Sequence, residues 1–347
     1  MNFESVNNEL AALGCKQSHI DAFWRNWYLG RPLTQAKFTF PKAAAEAAAT
    51  LGTRLAQVLM PDSDDYLGEN GARAVLRASD GQLIESVLLP RDGVCISTQV
   101  GCAVGCRFCM TGRSGLVRQL SDIEIAAQVV YAKSRQQISK VVFMGMGEPS
   151  HNRRNVLSAL DHITRYAGIG YKELVISTVG DRRLFEELSH REIKPALAIS
   201  LHSAFDEKRR MLLPNAADLT VKEILDFGKE YARLSKYPIQ YQWTLIRDLN
   251  DGTDEIDQLA SLWDGQFAVL NMIPVNKIDD SPYDRPDPDR IEALKAVCRS
   301  FHILLKFRDS AAQDVDGGCG QLRARAMREK QKAVRDGTAV IQIKDLK

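Results

Sequence analysis

The sequence lacks any excess of charge of one sign and any long apolar run. Lys and Arg number 46 against 44 Asp and Glu in 347 residues, giving a net charge of +2. Bulk charge therefore indicates nothing about nucleic-acid binding, which would need local clustering of cations. The amino-terminal run MNFESVNNEL has no basic start followed by an apolar stretch, and no segment approaches the roughly 20 apolar residues of a membrane span. We expect a cytoplasmic protein that does not enter a membrane.

Internal repeats and long low-complexity tracts are also missing. The 45% hydrophobic and 26% charged residues are ordinary for a globular chain. The length allows one large domain with a substantial core and a small one beside it. The predicted parts are an N-terminal helical accessory domain (1–72), a β-hairpin extension (73–93), a barrel that includes a C-terminal glycine-rich loop (94–325) and a basic tail (326–347).

The pattern of apolar residues changes along the chain. Residues 1 to about 70 predict helices, because apolar residues recur at helical spacing in SHIDAFWRNWYLG and PKAAAEAAATLGTRLAQVLM. The segments ARAVLRA and QLIESVLL flank an Asp-Gly turn and predict a β-hairpin. From about residue 94, apolar strand runs such as VCISTQV alternate with amphipathic helices, which is typical of a parallel sheet covered by helices. Six such units predict an α/β fold, a partial (β/α)6 barrel that stays open.

Cysteine is sparse outside one short segment. Seven cysteines in a cytoplasmic chain argue against a disulfide framework. Cys102, Cys106 and Cys109 follow the first strand of the repeating region with the spacing C-x3-C-x2-C. Such a loop can present three soft thiolates to three irons of a cubane cluster, leaving the fourth iron open to a small chelating molecule. The alternatives are a zinc site with a remote fourth ligand and three buried thiols, which the glycines and Arg107 disfavour.

Polar or glycine-rich motifs follow the later predicted strands, at the edge where barrels bind ligands. Glycine lets the backbone approach a ligand, and a carboxylate can pair with an amino group. Local explanations exist for each motif: a turn at GMGEP, a helix cap at Ser177 and a satisfied core histidine at His202. Their recurrence at one end of successive strands favours a shared site. The candidates are Gly145, Gly147, Glu148, Ser177, Ser200, Leu201, His202 and Asn276.

Taken together, these motifs resemble the RlmN/Cfr family of radical S-adenosylmethionine enzymes, which methylate adenine in RNA. The likeness is carried by CISTQVGCAVGCRFCMTG, FMGMGEP, LAISLHSAFDEKRR, NMIPVN and DVDGGCGQLRA, over roughly residues 73–325. The resemblance implies a 4Fe–4S cluster held by Cys102, Cys106 and Cys109, and two molecules of S-adenosylmethionine per turnover. It places the cofactor contacts at Gly147, Glu148, Ser177, Ser200, Leu201, His202 and Asn276.

The resemblance also implies a reaction route. Cys319 would take a methyl group from one S-adenosylmethionine, and a radical from a second would activate that group for addition to the adenine ring. Glu85 would accept the ring proton, and Cys95 would attack the sulfur of Cys319 and leave a disulfide. From the residues alone, Cys95 suits a buried strand thiol, whereas a glycine-rich loop is an unusual place for a core cysteine. Cys15 and Cys298 are interpreted as packing residues.

The partner that the resemblance implies is ribosomal or transfer RNA, with the target base extruded from its stack. C2 of adenine is the preferred target, and C8, the Cfr outcome, stays open. We further expect an electron donor such as flavodoxin or ferredoxin, and a monomer. Candidate phosphate contacts are Arg113, Arg118, Arg153, Arg154, Arg182, Arg183, Lys208, Arg209, Arg210 and the basic tail from Arg323 onward.

The resemblance implies that residues 1–72 bind RNA and that the C-terminal loop of the barrel is catalytic. The N-terminal segment is where the likeness weakens. Its run CKQSHIDAFWRNWYLGRP matches the family pattern only loosely, which favours a divergent RlmN-like paralogue with its own RNA target. Two other functions stay open at this point. One is a radical enzyme acting on a protein or small molecule, which would not need Cys319, and the other is a non-enzymatic iron–sulfur protein that binds RNA.

Overall fold

The computed structural model describes residues 1–113, 115–278 and 280–322. In these ranges the helices are α1 (Phe3–Ala12), α2 (Gln17–Leu29), α3 (Lys42–Ala56), α4 (Met110–Arg113), α5 (Asp122–Arg135), α6 (Arg153–Tyr166), α7 (Arg182–His190), α8 (Asp206–Leu212), α9 (Val221–Ser235), α10 (Thr253–Leu262) and α11 (Pro288–Ser300). The strands are β1 (Leu59–Pro61), β2 (Tyr66–Gly68), β3 (Gly71–Ala78), β4 (Leu83–Leu89), β5 (Gly93–Cys95), β6 (Gln99–Gly101), β7 (Leu116–Gln119), β8 (Lys140–Phe143), β9 (Leu174–Thr178), β10 (Ala196–Ser200), β11 (Ile239–Leu245), β12 (Ala268–Pro274) and β13 (Leu305–Phe307). None of these helices combines the length and hydropathy needed to cross a membrane. The predicted tail 326–347 lies outside the described ranges.

One large sheet organises the molecule. Its strand order is β1-β3-β4-β5-β8-β9-β10-β11-β12-β13, with β2 paired to β3. All neighbours from β5 to β13 are parallel, and helices connect most of them, whereas β3 and β4 join as an antiparallel hairpin. Within the described residues the strand path does not return from β13 to β1, so the sheet stays open. The predicted α/β fold and the partial barrel are confirmed.

The two faces of the sheet carry different side chains. On one face, large apolar residues such as Phe143 and Trp243 join the helices in one continuous core. On the other face, Cys95 lies beside Val142, and the buried residues of this smaller cluster are valines and alanines, including Val175, Ala196 and Ala198. Small side chains keep this inner face open. Half-buried polar residues near the carboxyl ends of the strands are Ser177, Ser200 and Thr244.

The N-terminal region departs from the predicted all-helical pattern. Helix α3 ends at Ala56, and Leu59–Pro61 pairs antiparallel with the end of β3. The prediction of helix up to about residue 70 is therefore wrong for β1 and β2. An apolar run such as VLM fits a helix or a strand, and pairing with the exposed edge of β3 satisfies its backbone. Buried residues of α1, α2 and α3 belong to the same core as the sheet, and the boundary at residue 72 stays a prediction.

The predicted strand VCISTQV is divided in two. Residues Gly93–Cys95 form β5 in the large sheet, and Gln99–Gly101 form β6, which pairs antiparallel with β7. Between β6 and β7 lies the segment with the three closely spaced cysteines. The backbone nitrogens of Thr98 and Gln99 both donate to the carbonyl of Met146 after β8, over 2.8 and 3.2 Å. This small hairpin, which the sequence analysis missed, therefore anchors the cysteine loop to the carboxyl ends of the parallel strands.

Candidate active site

The cysteine loop is fixed by contacts with helix α8 and the end of β10. Arg107 donates its backbone N–H to the Leu212 carbonyl over 3.0 Å. The Phe108 ring meets the His202 ring edge-on at 4.8 Å between centroids. Cys102 is buried, and Cys106 and Cys109 are half-buried. The loop thus presents its thiols toward the strand ends from a fixed position.

The three thiols influence one another, which shows that they lie close together. Burial, with smaller contributions from Cys109 and Glu148, raises the pKa of Cys102 to about 12. Burial, then Cys109 and Cys102, also raise the pKa of Cys106. Buried thiolates are stable only when a cation compensates their charge, so three such groups on one loop suit a cluster of iron.

A single ion is a less good match for this arrangement. Among residues 1–113, 115–278 and 280–322, no three His, Cys, Asp or Glu side chains are placed to hold one metal ion. A cubane cluster needs a wider spacing, because each thiolate binds a different iron atom. The three thiolates suit a 4Fe–4S cluster, and their assignment to Cys102, Cys106 and Cys109 stays a prediction.

The GMGEP motif after β8 is held by the neighbouring hairpin. A Cβ on Gly147, whose φ is 101°, would lie 2.6 Å from the Cβ of Gln99, and one on Gly145 would lie 2.7 Å from Ser97 Oγ. Close packing on this segment, rather than approach to a ligand, thus explains both glycines. The Glu148 carboxylate is buried and accepts hydrogen bonds from Thr178 Oγ1 at 2.6 Å, from the Ser150 N–H at 2.9 Å and from the Val179 N–H at 3.0 Å. A carboxylate has about four acceptor positions, so Glu148 can still receive one further donor.

Ser177 and Ser200 lie on the open inner face of the sheet. Ser177 is within β9, opposite Ala198, so it does not cap a helix. Ser200 ends β10, and Leu201 and His202 continue from it with N–H bonds to the Gln242 carbonyl over 2.9 and 3.3 Å. Ser177, Ser200, Leu201 and His202, which are predicted to contact the cofactor, therefore lie at one edge of the sheet.

His202 is a buried group that already has protein partners. Its Nδ1 accepts the Thr244 N–H over 2.9 Å, and its φ is 61°. Burial, with the nearby Arg209, lowers the pKa of His202 to about 3. The ring is therefore neutral at pH 7, which agrees with the satisfied core histidine considered from sequence.

Asn276 joins the end of β12 to the glycine-rich loop. Its Nδ2 donates to Ser310 Oγ at 2.8 Å and to the Cys319 carbonyl at 2.9 Å. Its Oδ1 is buried and has no hydrogen-bond partner among the described residues. A buried acceptor without a donor is costly, so this atom suits a ligand that carries an N–H or O–H group, as S-adenosylmethionine does.

The Cys319 loop is clamped between the cysteine loop and β12. The Met110 N–H of α4 donates to the Gly320 carbonyl over 2.7 Å. Cys319 itself is exposed. It is also near enough to Cys95 and Cys109 to contribute to their raised pKa values, in both cases after the larger effect of burial. The structure thus brings the predicted carrier thiol, the predicted resolving thiol and a predicted cluster ligand together.

Glu85 lies on the same face of the sheet as Cys95. Val87 is opposite Cys95 in the β4–β5 pairing, and Glu85 is two residues from Val87, which puts all three side chains on one face. Glu85 is 1% exposed, and its Oε1 is 2.6 Å from Nη1 of Arg73. The predicted proton acceptor is therefore a buried carboxylate with a cation as its partner.

Several of the predicted phosphate contacts have acidic partners. Arg118 pairs with Glu124 at 2.8 Å, Arg182 with Glu223 at 3.0 Å and Lys208 with Glu255 at 3.0 Å. Further ion pairs join Arg153 to Glu187, Arg183 to Asp181 and Arg210 to Asp218. The prediction that Arg209 contacts an RNA phosphate is wrong, because Arg209 is 2% exposed and donates to the carbonyls of Val179 and Ser200. Arg113 and Arg154 are exposed, and the tail from Arg323 lies outside the described ranges.

Three residues of this edge were not predicted as part of the site. Thr178 binds Glu148, Phe108 contacts His202, and Arg73 pairs with Glu85. Thr178 adjoins Ser177 and Phe108 lies inside the cysteine motif, so their positions were a signal. Arg73 gave none, because a cation in a strand pattern ordinarily faces solvent.

A half-open parallel barrel, a three-cysteine loop at its carboxyl edge and polar strand ends beside it define the class of radical S-adenosylmethionine enzymes. Residues 96–260 match the Radical SAM superfamily. That superfamily uses a 4Fe–4S cluster and S-adenosylmethionine.

Comparison with individual proteins narrows this class. A probable RNA methyltransferase of Bordetella avium is 49% identical over 332 residues, which cover 94% of each chain. One from Stutzerimonas stutzeri is 47% identical over 94% of this chain and 97% of its own. The crystal structure of a radical SAM methyltransferase from Sphaerobacter thermophilus matches with a TM-score of 0.81 at 29% identity, over 93% of this chain and 98% of that one. The chain belongs to the RlmN/Cfr family of radical S-adenosylmethionine methyltransferases.

Proposed function

We propose that this protein methylates a ring carbon of adenine in RNA through an S-methylcysteine at Cys319. The observation that carries the proposal is the position of this thiol, exposed on a loop that is tied to α4 and to Asn276. An enzyme that uses only the radical has no need of a thiol there. The names of the relatives from Bordetella avium and Stutzerimonas stutzeri support RNA as the substrate. The preferred product is C2-methyladenine in ribosomal RNA, with transfer RNA as a further substrate.

Cofactor chemistry accounts for one part of the cycle. Cys102, Cys106 and Cys109 would hold the cluster, and Glu148 and Asn276 would lie near S-adenosylmethionine. Together the cluster and S-adenosylmethionine would supply the radical that activates the S-methyl group for addition to the ring and an acceptor for the electron left after addition. Cys319 first accepts a methyl group as a thiolate, and S-adenosylhomocysteine leaves. Two molecules of S-adenosylmethionine are therefore consumed per methylated base.

The remaining steps belong to side chains of the inner face. Glu85 accepts the proton from the ring carbon that has been alkylated. Cys95 then attacks the sulfur of Cys319, so that an S–S bond forms and the bond from that sulfur to the carbon breaks. The electron pair of the broken bond goes to the carbon, which takes a proton to become the methyl group. An external dithiol must reduce the disulfide before the next cycle.

The test compares Cys319→Ala with Cys298→Ala after anaerobic reconstitution with iron, sulfide, dithionite and S-adenosylmethionine. Cys298 is a completely buried thiol on α11, remote in sequence from the cluster motif, so it controls for loss of a cysteine. RNA from cells that lack the protein is the substrate, and nucleoside mass spectrometry is the readout. We expect 2-methyladenosine with Cys298→Ala and none with Cys319→Ala at unchanged iron content.

The same measurement separates the alternatives. A product that elutes as 8-methyladenosine would show that the methylated carbon is C8, the Cfr outcome, and not C2. Methylated RNA from the Cys319→Ala variant would disprove the carrier thiol. Formation of 5′-deoxyadenosine with no methylated nucleoside in any variant would point to a substrate other than RNA. Flavodoxin or ferredoxin can replace dithionite in the assay to test the expected electron donor, and the monomer is tested by sedimentation.

A further inference from the structure

Arg73 of β3 is a buried cation that contacts three separate segments. It is 2% exposed. Its Nη1 lies 2.6 Å from Glu85 Oε1 on β4, and its Nε donates to the Val315 carbonyl over 2.8 Å. Its guanidinium carbon lies 4.1 Å from the centre of the Tyr66 ring on β2. The planar group therefore uses two edges and one face at once, which a lysine ammonium cannot do.

The ion pair between Arg73 and Glu85 is expensive for a purely structural contact. Both side chains are at most 2% exposed, and burying two charges costs most of what their attraction returns. Apolar residues of similar volume often fill such positions without loss of stability. Retention of a charged pair on the face that also holds Cys95 therefore suggests that the ionised carboxylate itself is needed.

The second contact of Arg73 reaches the segment that leads to Cys319. Val315 ends a short 3-10 helix (Gln313–Val315), and Asp316 follows with a φ of 58°. A Cβ on Gly317 would lie 2.9 Å from the Cβ of Ala312 and 3.5 Å from that of Arg73. The chain therefore turns closely against Arg73 four residues before Cys319. A shift in the position of Arg73 would therefore displace the start of the glycine-rich loop.

We infer that Arg73 is a positioning residue that keeps the Glu85 carboxylate ionised and holds the Cys319 loop at a fixed spacing from it. The inference rests on the proposed function, in which Glu85 accepts a proton and Cys319 carries the methyl group. Arg73 touches neither the substrate nor the cofactor in this role. It acts through the carboxylate on one side and the Val315 carbonyl on the other.

The experiment compares Arg73→Met, Arg73→Lys and Arg77→Met in the full-length reconstituted enzyme, with RNA from cells that lack the protein. Arg77 is a matched control, because it lies on the same strand and pairs with Asp62 at the rim of the sheet. The readouts are the yield of S-methyl Cys319 by mass spectrometry, the covalent protein–RNA adduct on a denaturing gel and the rate of adduct resolution between pH 6 and pH 10. Circular dichroism and iron content verify folding.

Removal of the cation from Oε1 makes ionisation of the Glu85 carboxyl less favourable. In Arg73→Met we expect resolution at pH 7 to fall by roughly 10²-fold, the lower end of a general-base contribution, so that the adduct accumulates. The half-maximal pH should rise by about one to three units, the shift that an adjacent cation controls. Arg73→Lys keeps a charge and should restore the pH profile, yet it should lower the yield of S-methyl Cys319. Arg77→Met should match the parent protein in all three readouts.

An unchanged pH profile in a folded Arg73→Met variant, with no adduct, would overturn the inference. If Arg73→Met does not fold, Arg73→Lys decides, because normal S-methyl yield and normal resolution in that variant would also overturn it. Cys319→Ala is run in parallel to separate the two proposals. Methylation that survives in Cys319→Ala removes the proposed function, whereas its loss there with a normal Arg73→Met removes only the role of Arg73.

Discussion

Two regions of the chain each contain a buried histidine, and they differ in the side chains that surround it. The aromatic dock consists of Phe3, Trp24, Trp27 and Tyr28 packed on His162, and the catalytic edge consists of the cysteine loop and the strand ends around His202. Burial lowers the pKa of both histidines to about 3. In the dock, His162 stacks on Phe3 with centroids 3.5 Å apart, and its Nδ1 lies 3.0 Å from the Tyr28 hydroxyl.

The difference lies in what surrounds the neutral ring. In the dock, aromatic rings fill the space around His162, which fixes the N-terminal helices to α6. The catalytic edge instead has an open face, where thiols lie with a buried carboxylate and with Asn276 Oδ1, which has no partner among the described residues. Burial of a polar group is therefore no sign of a reactive site by itself. Nor is one unpartnered atom, because among the described residues His162 Nε2 also lacks a hydrogen-bond partner. The sign is a group of thiol, carboxylate and amide side chains that share one open face.

Of the changes that test this difference, loss of Cys102, a proposed cluster ligand, should have the largest effect. Cys102→Ala should abolish the visible absorbance of the cluster and all turnover, because a cubane on two thiolates lacks a needed ligand. Trp24→Ala in the dock should retain the absorbance when it is prepared in the cold. Iron analysis and spectra of the two variants provide the measurement. Loss of iron from both would show that the edge depends on the dock.

The two thiols of the inner face should also behave differently from each other. Cys95→Ala should react once and stop, since the methyl carrier stays intact while the sulfur that releases it is absent. A covalent protein–RNA adduct should then appear as a slowly migrating band, whereas Cys319→Ala should form none. A Cys95→Ala protein that turns over repeatedly, or shows no such band, would contradict its resolving role.

Sequence reasoning succeeded where residue type and spacing carry the chemistry. The alternation of strands with helices predicted the parallel sheet, and the cysteine motif predicted a candidate site at one edge of that sheet. It failed where apolar residues fit either structure, as at Leu59–Pro61, and where a hairpin depends on a distant partner, as at β6 and β7. It also misjudged Arg209, because charge alone does not reveal that carbonyls at the ends of two strands will enclose a guanidinium.

Truncation of an aromatic ring in the dock should weaken the fold rather than the chemistry. Trp24 is completely buried, and its Nε1 donates to Asn7 Oδ1 over 2.7 Å. Trp24→Ala should lower the free energy of unfolding by about 3–5 kcal/mol through the cavity it leaves. Phe38→Ala is the control in the same region, because Phe38 is 44% exposed and should cost less than about 1 kcal/mol. Urea titrations of both variants give the two values, and equal values would mean that the dock is not tightly packed.

The smallest expected effect concerns acid stability of the dock. A histidine that is neutral when folded and has a pKa near 6.5 when unfolded adds stability above that pH, and this stability is lost as the pH falls toward 3. At pH 5 the loss from His162 should be about 2 kcal/mol. His162→Phe removes this titration, so its free energy of unfolding should fall less between pH 7 and pH 5 than that of the parent protein. His190→Gln, an exposed position on α7, should retain the parental slope, and an equal slope in His162→Phe would show that the dock opens before its histidine is protonated.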